Sequence, residues 1–145
     1  MRGVDRSDNR MDRFPNNRLG GFGLTMQKVV PHERQEPTQL EQVLWLHGQY
    51  RRSLEPLGVT PLQAGVLLYV RRHTETNMTN IAAALCLRLP TLSEVVKDLV
   101  RKRWLTRRRS VEDTRVVHLR LSSRGNALVV KIEQRMRSVE TMRTG

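Results

Sequence analysis

The chain has 145 residues, enough for one domain with a real core. It carries 26 Lys and Arg against 14 Asp and Glu, a formal charge of +12, so the expected partner is an anion, nucleic acid first. No long apolar run suggests a membrane span or a signal peptide, and the single cysteine excludes an internal disulfide and suits a reducing cytoplasm.

Residues 1–37 are rich in Arg, Asp, Asn and Gly and show no apolar period, which reads as a flexible extension. Its charges largely cancel, so DNA binding by this arm is not indicated. Phe14, Phe22 and Leu24 are alternative anchors on a partner subunit, and Met11 or Met26 an alternative start. A single domain is expected over 38–145. Its first helix, about 38–55, starts at the capping-box spacing Thr38-x-x-Glu41. Leu40, Val43, Leu44, His47 and Leu54 follow at helical spacing, and Gly58 marks a turn. Thr60-Pro61-Leu62-Gln63 is a second start, with Thr60 as cap, Pro61 in the first turn and Gln63 reaching back. Leu62, Val66, Leu67 and Val70 make that helix a core member ending near His73. Asn77 to Thr79 offer caps for a third helix carrying Ile81, Ala82 and Leu85.

From Leu89 to Arg103, Leu92, Val95, Val96, Leu99 and Val100 fall on one helical face. Ser93, Glu94, Lys97, Asp98 and Arg101 are expected to face outward. After Trp104 the period becomes two. Leu105 to Arg109 is one strand, Ser110 to Thr114 a polar connection, and Val116 to Leu121 its antiparallel partner, with Leu119 and Leu121 on one face and His118 and Arg120 on the other. The last helix begins at Ser122 or Ser123, with the stripe Leu128, Val129, Ile132, Met136 and Val139. The expected fold is mainly α with a small β-hairpin wing: a helix-turn-helix with wing over about 60–122, flanked by helices at about 38–55 and 123–143. No metal-ligand spacing, phosphate-cradling glycine loop, nucleophile elbow or carboxylate pair suggests enzyme chemistry or a cofactor.

These residues resemble the MarR family of winged helix-turn-helix transcription regulators. Pro90-Thr91-Leu92-Ser93 resembles the start of the family's recognition helix, Leu99 its inward leucine, and Trp104-Leu105-Thr106-Arg107 the first wing strand. Asp113-Thr114-Arg115 resembles the wing's Asp-x-Arg. Leu119-x-Leu121-Ser122-x-x-Gly125 resembles the second strand and the start of the next helix. Arg103 stands where the family usually has glycine, so either an arginine at positive φ or a different turn is expected.

The resemblance implies a cytoplasmic homodimer on a pseudo-palindromic double-stranded operator, a repressor relieved by a small aromatic or phenolic ligand or by oxidation. The flanking helices would then pair the subunits. Candidate DNA contacts are Arg88, Thr91, Ser93, Glu94 and Lys97 on the recognition helix, and Arg101 and Arg107 on phosphates. At the wing, Arg115 would enter the minor groove, with Asp113 orienting it or its neighbour Arg109. Trp45, His47, Tyr50, Tyr69 and His73 are candidate effector contacts. Core packing for the aromatics and surface positions for the histidines are the alternative. Cys86 is expected to be a small buried residue, with an oxidation sensor as the alternative. Two other functions remain open: a basic winged module binding nucleic acid by charge alone, and a protein-interaction module that no longer reads DNA.

Overall fold

The computed structural model describes residues 35–144. The expected extension, with Phe14, Phe22, Leu24, Met11 and Met26, lies outside the described residues apart from its last three positions. In order, the described elements are α1 (Gln39–Leu54), a single 3-10 turn (Glu55–Leu57), α2 (Pro61–Arg72), β1 (Thr76–Asn77) and α3 (Met78–Ala84). Then come α4 (Leu89–Arg101), β2 (Leu105–Arg109), β3 (Val117–Leu121) and α5 (Ser123–Thr144). Among the described residues no helix is long and apolar enough to cross a membrane.

The capping box at Thr60 forms as its spacing predicts. The Gln63 N–H donates to Thr60 Oγ1 at 3.1 Å, and the Thr60 N–H donates to Gln63 Oε1 at 3.1 Å. Pro61 occupies the first turn of α2, where the missing donor is not needed. Asn77 caps α3 by accepting from the Asn80 N–H at 2.9 Å. Val66, Leu67, Ile81, Leu92, Val96, Leu99, Leu105, Leu119, Val129 and Ile132 are all buried. Each such side chain contributes about 1.5–3 kcal/mol by leaving water. The stripe at 92, 96 and 99 is therefore the part of α4 that faces the core.

The β-hairpin wing forms as expected, and a short third strand joins it. The sheet has three strands in the order β1-β3-β2, with both pairings antiparallel. Thr76 lies opposite Leu119 and Asn77 opposite His118. On the other edge, Leu105 to Arg109 run against Leu121 to Val117. A two-residue strand carries no period of its own, so β1 leaves no sequence signal. It exists because the second edge of β3 needs hydrogen-bond partners near the core.

Two further features matter for the site. Asp98, expected on the outward face, is a half-buried strut between α2 and α4. Its Oδ2 accepts from Gln63 Nε2 at 2.6 Å, because the nearly buried amide needs an acceptor. The same carboxylate pairs with Arg101 and, at 3.2 Å, with Lys102. Hydrogen bonds from Lys102 and Arg101 hold the Asp98 carboxyl below its ordinary pKa, against the opposing effect of burial. Second, most of the α1 stripe is not buried. Leu40, Val43 and Leu44 are 67%, 61% and 61% exposed, and Leu54 is the buried residue of that helix.

The root of the wing depends on close backbone approach. Arg103 adopts φ +63°, the left-handed conformation that favours glycine. Its carbonyl accepts from Ser122 Oγ at 2.6 Å, and the Trp104 carbonyl accepts from the Ser122 N–H at 3.1 Å. Gly125, in the first turn of α5, lies against that Trp104 carbonyl with no room for a Cβ. The β2 start and the α5 start are thereby locked together.

Candidate nucleic-acid interface

The exposed side of α4 is a stripe at intervals of three and four. Arg88, Thr91, Glu94, Lys97 and Arg101 are all exposed, and Ser93 is half-buried beside them. Arg88 is the N-cap residue but makes no side-chain capping bond, and Pro90 follows in the first turn. Lys97 Nζ lies 3.2 Å from Glu94 Oε1. An exposed pair of this kind is weak and readily exchanged for another partner.

The wing tip is built by short polar bonds. Ser110 Oγ accepts from the N–H groups of Glu112 (3.2 Å) and Asp113 (3.4 Å), and the Val116 N–H donates to Asp113 O at 3.0 Å. Asp113 Oδ1 accepts from the Arg115 N–H at 3.0 Å and lies 3.6 Å from Arg115 Nε. Asp113 thus fixes the backbone that carries Arg115, while the Arg115 side chain stays 94% exposed. Arg109 is held differently: its Nη1 donates to the Thr114 carbonyl at 3.1 Å. Strand alternation puts Arg107 and Arg109 on one face of β2 and Thr106 and Arg108 on the other, all exposed.

Contacts that no local motif encodes tie this wing and α4 to the body. Glu75, at φ +59°, pairs through its carboxylate with Arg120, and its carbonyl lies 3.0 Å from His118 Nδ1. Gln63 does the same for α4 through Asp98. Neither role was visible in the sequence, because both depend on partners more than thirty residues away.

The five candidate effector residues fall on two helices. Tyr69 and His73 stack on α2, with ring centroids 4.1 Å apart. Trp45 and His47 are exposed on α1, and Tyr50 is half-buried. Burial raises the Tyr50 pKa, the Glu140 carboxylate adds to that, and Arg143 opposes it. Cavities on the described surface include two beside these elements. One of about 250 Å³ is lined by residues of α2, β3 and α5, including Arg71, Glu75 and Arg120. The other, of about 560 Å³, is lined by Leu57, Gly58, Arg101, Lys102, Arg103, Trp104 and Arg124. None of the five lines either one. Cys86 is exposed, contrary to the expectation of a buried residue. It takes φ +53° in the turn between α3 and α4, which lets Leu85 and Leu87 pack on the core and leaves the thiol outside.

A short helix, a tight turn, an amphipathic helix and a basic antiparallel hairpin on one core constitute a winged helix-turn-helix, a DNA-binding fold. Residues 57–116 match the model of the MarR family. The crystal structure of the S. aureus MepR–DNA complex is 25% identical, covering 75% of this chain and 84% of that one, with a TM-score of 0.69. A mutant of S. aureus MepR bound to an oligodeoxyribonucleotide is 26% identical over 75% of this chain and 83% of that one, with a TM-score of 0.61. Wild-type apo MarR from E. coli is 22% identical over 74% and 84% respectively, with a TM-score of 0.65. No curated protein matches the chain. Over residues 57–116 the chain is similar to the MarR family of winged-helix transcription regulators, and its fold is that of these solved regulators.

Proposed function

We propose that the protein is a homodimeric, sequence-specific regulator that represses transcription by occupying a pseudo-palindromic operator. The observation that carries this reading is the exposure of polar and basic side chains on both α4 and the wing. Arg88, Thr91, Glu94 and Lys97 project from the recognition helix, and a rigidly turned tip presents Arg115. In this reading α4 lies in the major groove. Lys97 donates to guanine O6 or N7, Glu94 accepts from cytosine N4, and Arg88, Thr91 and Ser93 contact base edges or phosphates. Arg101 and Arg107 bind phosphates, Arg115 enters the minor groove, and Asp113 and Arg109 hold the tip in shape. That MepR, of the same fold, is described in complex with DNA supports the assignment.

Pairing of subunits is supported by the exposed apolar face of α1. Leu40, Val43, Leu44 and Trp45 are each more than half exposed, and Met142 near the end of α5 is 70% exposed. A cluster of this kind on a water-facing helix marks an interaction surface. Two recognition helices related by a two-fold axis would read half-sites about one helical turn, ~10 bp, apart. An aromatic or phenolic ligand near Trp45, His47, Tyr50, Tyr69 and His73, or oxidation of the exposed Cys86, would relieve repression by changing that spacing.

Selection of bound fragments from random duplex is the test. Enrichment of an inverted repeat supports the reading. Recovery of fragments without a common sequence would leave a module that binds nucleic acid by charge, and no recovery at low salt would leave a protein-interaction module.

A further inference from the structure

The second cavity shares only Arg101 with the exposed α4 stripe and takes none of its lining from the wing tip. It sits where the end of α4, the turn after α1 and the first turn of α5 meet. Its lining combines Arg101, Lys102, Arg103 and Arg124 with Leu57, Gly58 and the half-buried Trp104. Of the four cations, Arg101 and Lys102 pair with Asp98, whose carboxylate also accepts from Gln63. Among the described residues neither Arg103 nor Arg124 has an ion pair. Arg124 moreover stands in the first turn of α5, the positive end of that helix, where a cation is unfavourable unless an anion offsets it. The indole is already a platform for charge, with Lys102 Nζ 5.2 Å from its centroid.

We infer that this cleft binds a small molecule joining a phosphate to a planar aromatic ring. Guanidinium forks match a phosphate in two-point geometry, and a phosphate monoester carries more charge than a carboxylate to set against four cations. The ring would lie on Trp104 and Leu57. The backbone of a duplex is a poorer match for this lining, because its flat apolar faces are stacked inside the helix. The surfaces proposed for DNA carry no aromatic residue: none occurs at the exposed α4 positions or from Leu105 to Val117. A bound phosphate would also compete with Asp98 for Arg101 and Lys102, at the end of the recognition helix.

The test uses the full chain without DNA, so its outcome is independent of whether the protein reads an operator. The chain has two tryptophans, and Trp45→Phe leaves Trp104 as the only one. Its fluorescence is followed during titration with phenyl phosphate, inorganic phosphate and phenol at matched ionic strength. The expected result is a saturable change with phenyl phosphate and affinities weaker by about tenfold or more for the other two probes. In the same background, Arg124→Gln should weaken phenyl phosphate about tenfold, and Arg103→Asn, which suits the positive φ there, should do likewise. Both replacements should leave the thermal melt near that of the parent. No saturable change with phenyl phosphate, equal affinity for inorganic phosphate, or undiminished binding in the well-folded Arg124→Gln protein would overturn the assignment.

Discussion

Gly125→Ala is the sharpest probe of how the wing is attached. A methyl at that position would come closer than 3.0 Å to the Trp104 carbonyl oxygen, 3.0 Å from its carbonyl carbon and 3.2 Å from Leu121 Cδ2. The obstructing group is backbone and cannot swing aside. The Trp104 carbonyl accepts from the Ser122 N–H, and the preceding Arg103 carbonyl accepts from Ser122 Oγ, which in turn accepts from the Gly125 N–H at 3.0 Å. Overpacking in a compliant core costs about 1–3 kcal/mol, and each hydrogen bond lost adds about 1 kcal/mol, so relief of the clash should cost roughly 3–4 kcal/mol. Alanine returns about 1 kcal/mol of helix propensity, leaving a net loss of roughly 2–3 kcal/mol. For a domain of this size that is a fall in Tm of roughly 10 °C. A far-UV circular dichroism melt at fixed protein concentration measures it. A Tm within about 2 °C of the parent would show that the α5 start is free to move and that the wing root is not locked, contrary to the reasoning.

Four other changes test separate links. Arg115→Ala should weaken operator binding and lower the slope of log K against log salt by about 0.9, as for the loss of one phosphate-proximal cation; an unchanged slope and affinity would remove the wing assignment. Lys97→Ala should change base preference at one position in each half-site, whereas a uniform loss across sequences would make Lys97 a phosphate contact. Leu44→Glu puts a charge in the exposed apolar face of α1 and should convert a dimer to monomer in sedimentation; a dimer of undiminished affinity would place the interface elsewhere. The folded-state pKa of Asp98 is depressed, so the stability it adds is complete above the ordinary carboxylate value and is lost as pH falls through the lower folded value. Asp98→Asn should therefore be less stable than the parent at neutral pH, with the gap closing as pH drops below about 4. A gap that stays constant into acid would contradict that attribution.

Much of the fold could be read in the sequence, because its signals are local. Thr60 and Gln63 are three apart, the core stripe of α4 repeats within one helix, and Leu105 to Arg109 alternate in plain view. The reading stopped where geometry is non-local. β1 is made by its neighbour, Asp98 turns inward because Gln63 waits on another helix, and Arg109 is held by the Thr114 carbonyl, leaving Asp113 to Arg115. Apolar spacing in α1 correctly indicated a helix, but periodicity cannot tell a face buried in its own core from one left for a partner. The positive φ of Arg103 was one of two expectations drawn from the glycine usual at that place, whereas nothing in the Cys86 side chain announces a left-handed backbone. For the interface, the chain order located α4 and the wing, and the structure placed their exposed cations. Which base each one touches is a property of a complex.

The most direct measurement of the central proposal is a footprint on a selected operator, repeated with a large excess of random duplex. Two protected half-sites about one helical turn apart should persist under competition. Protection that disappears into the random competitor, or a single unpaired half-site, would contradict the proposal.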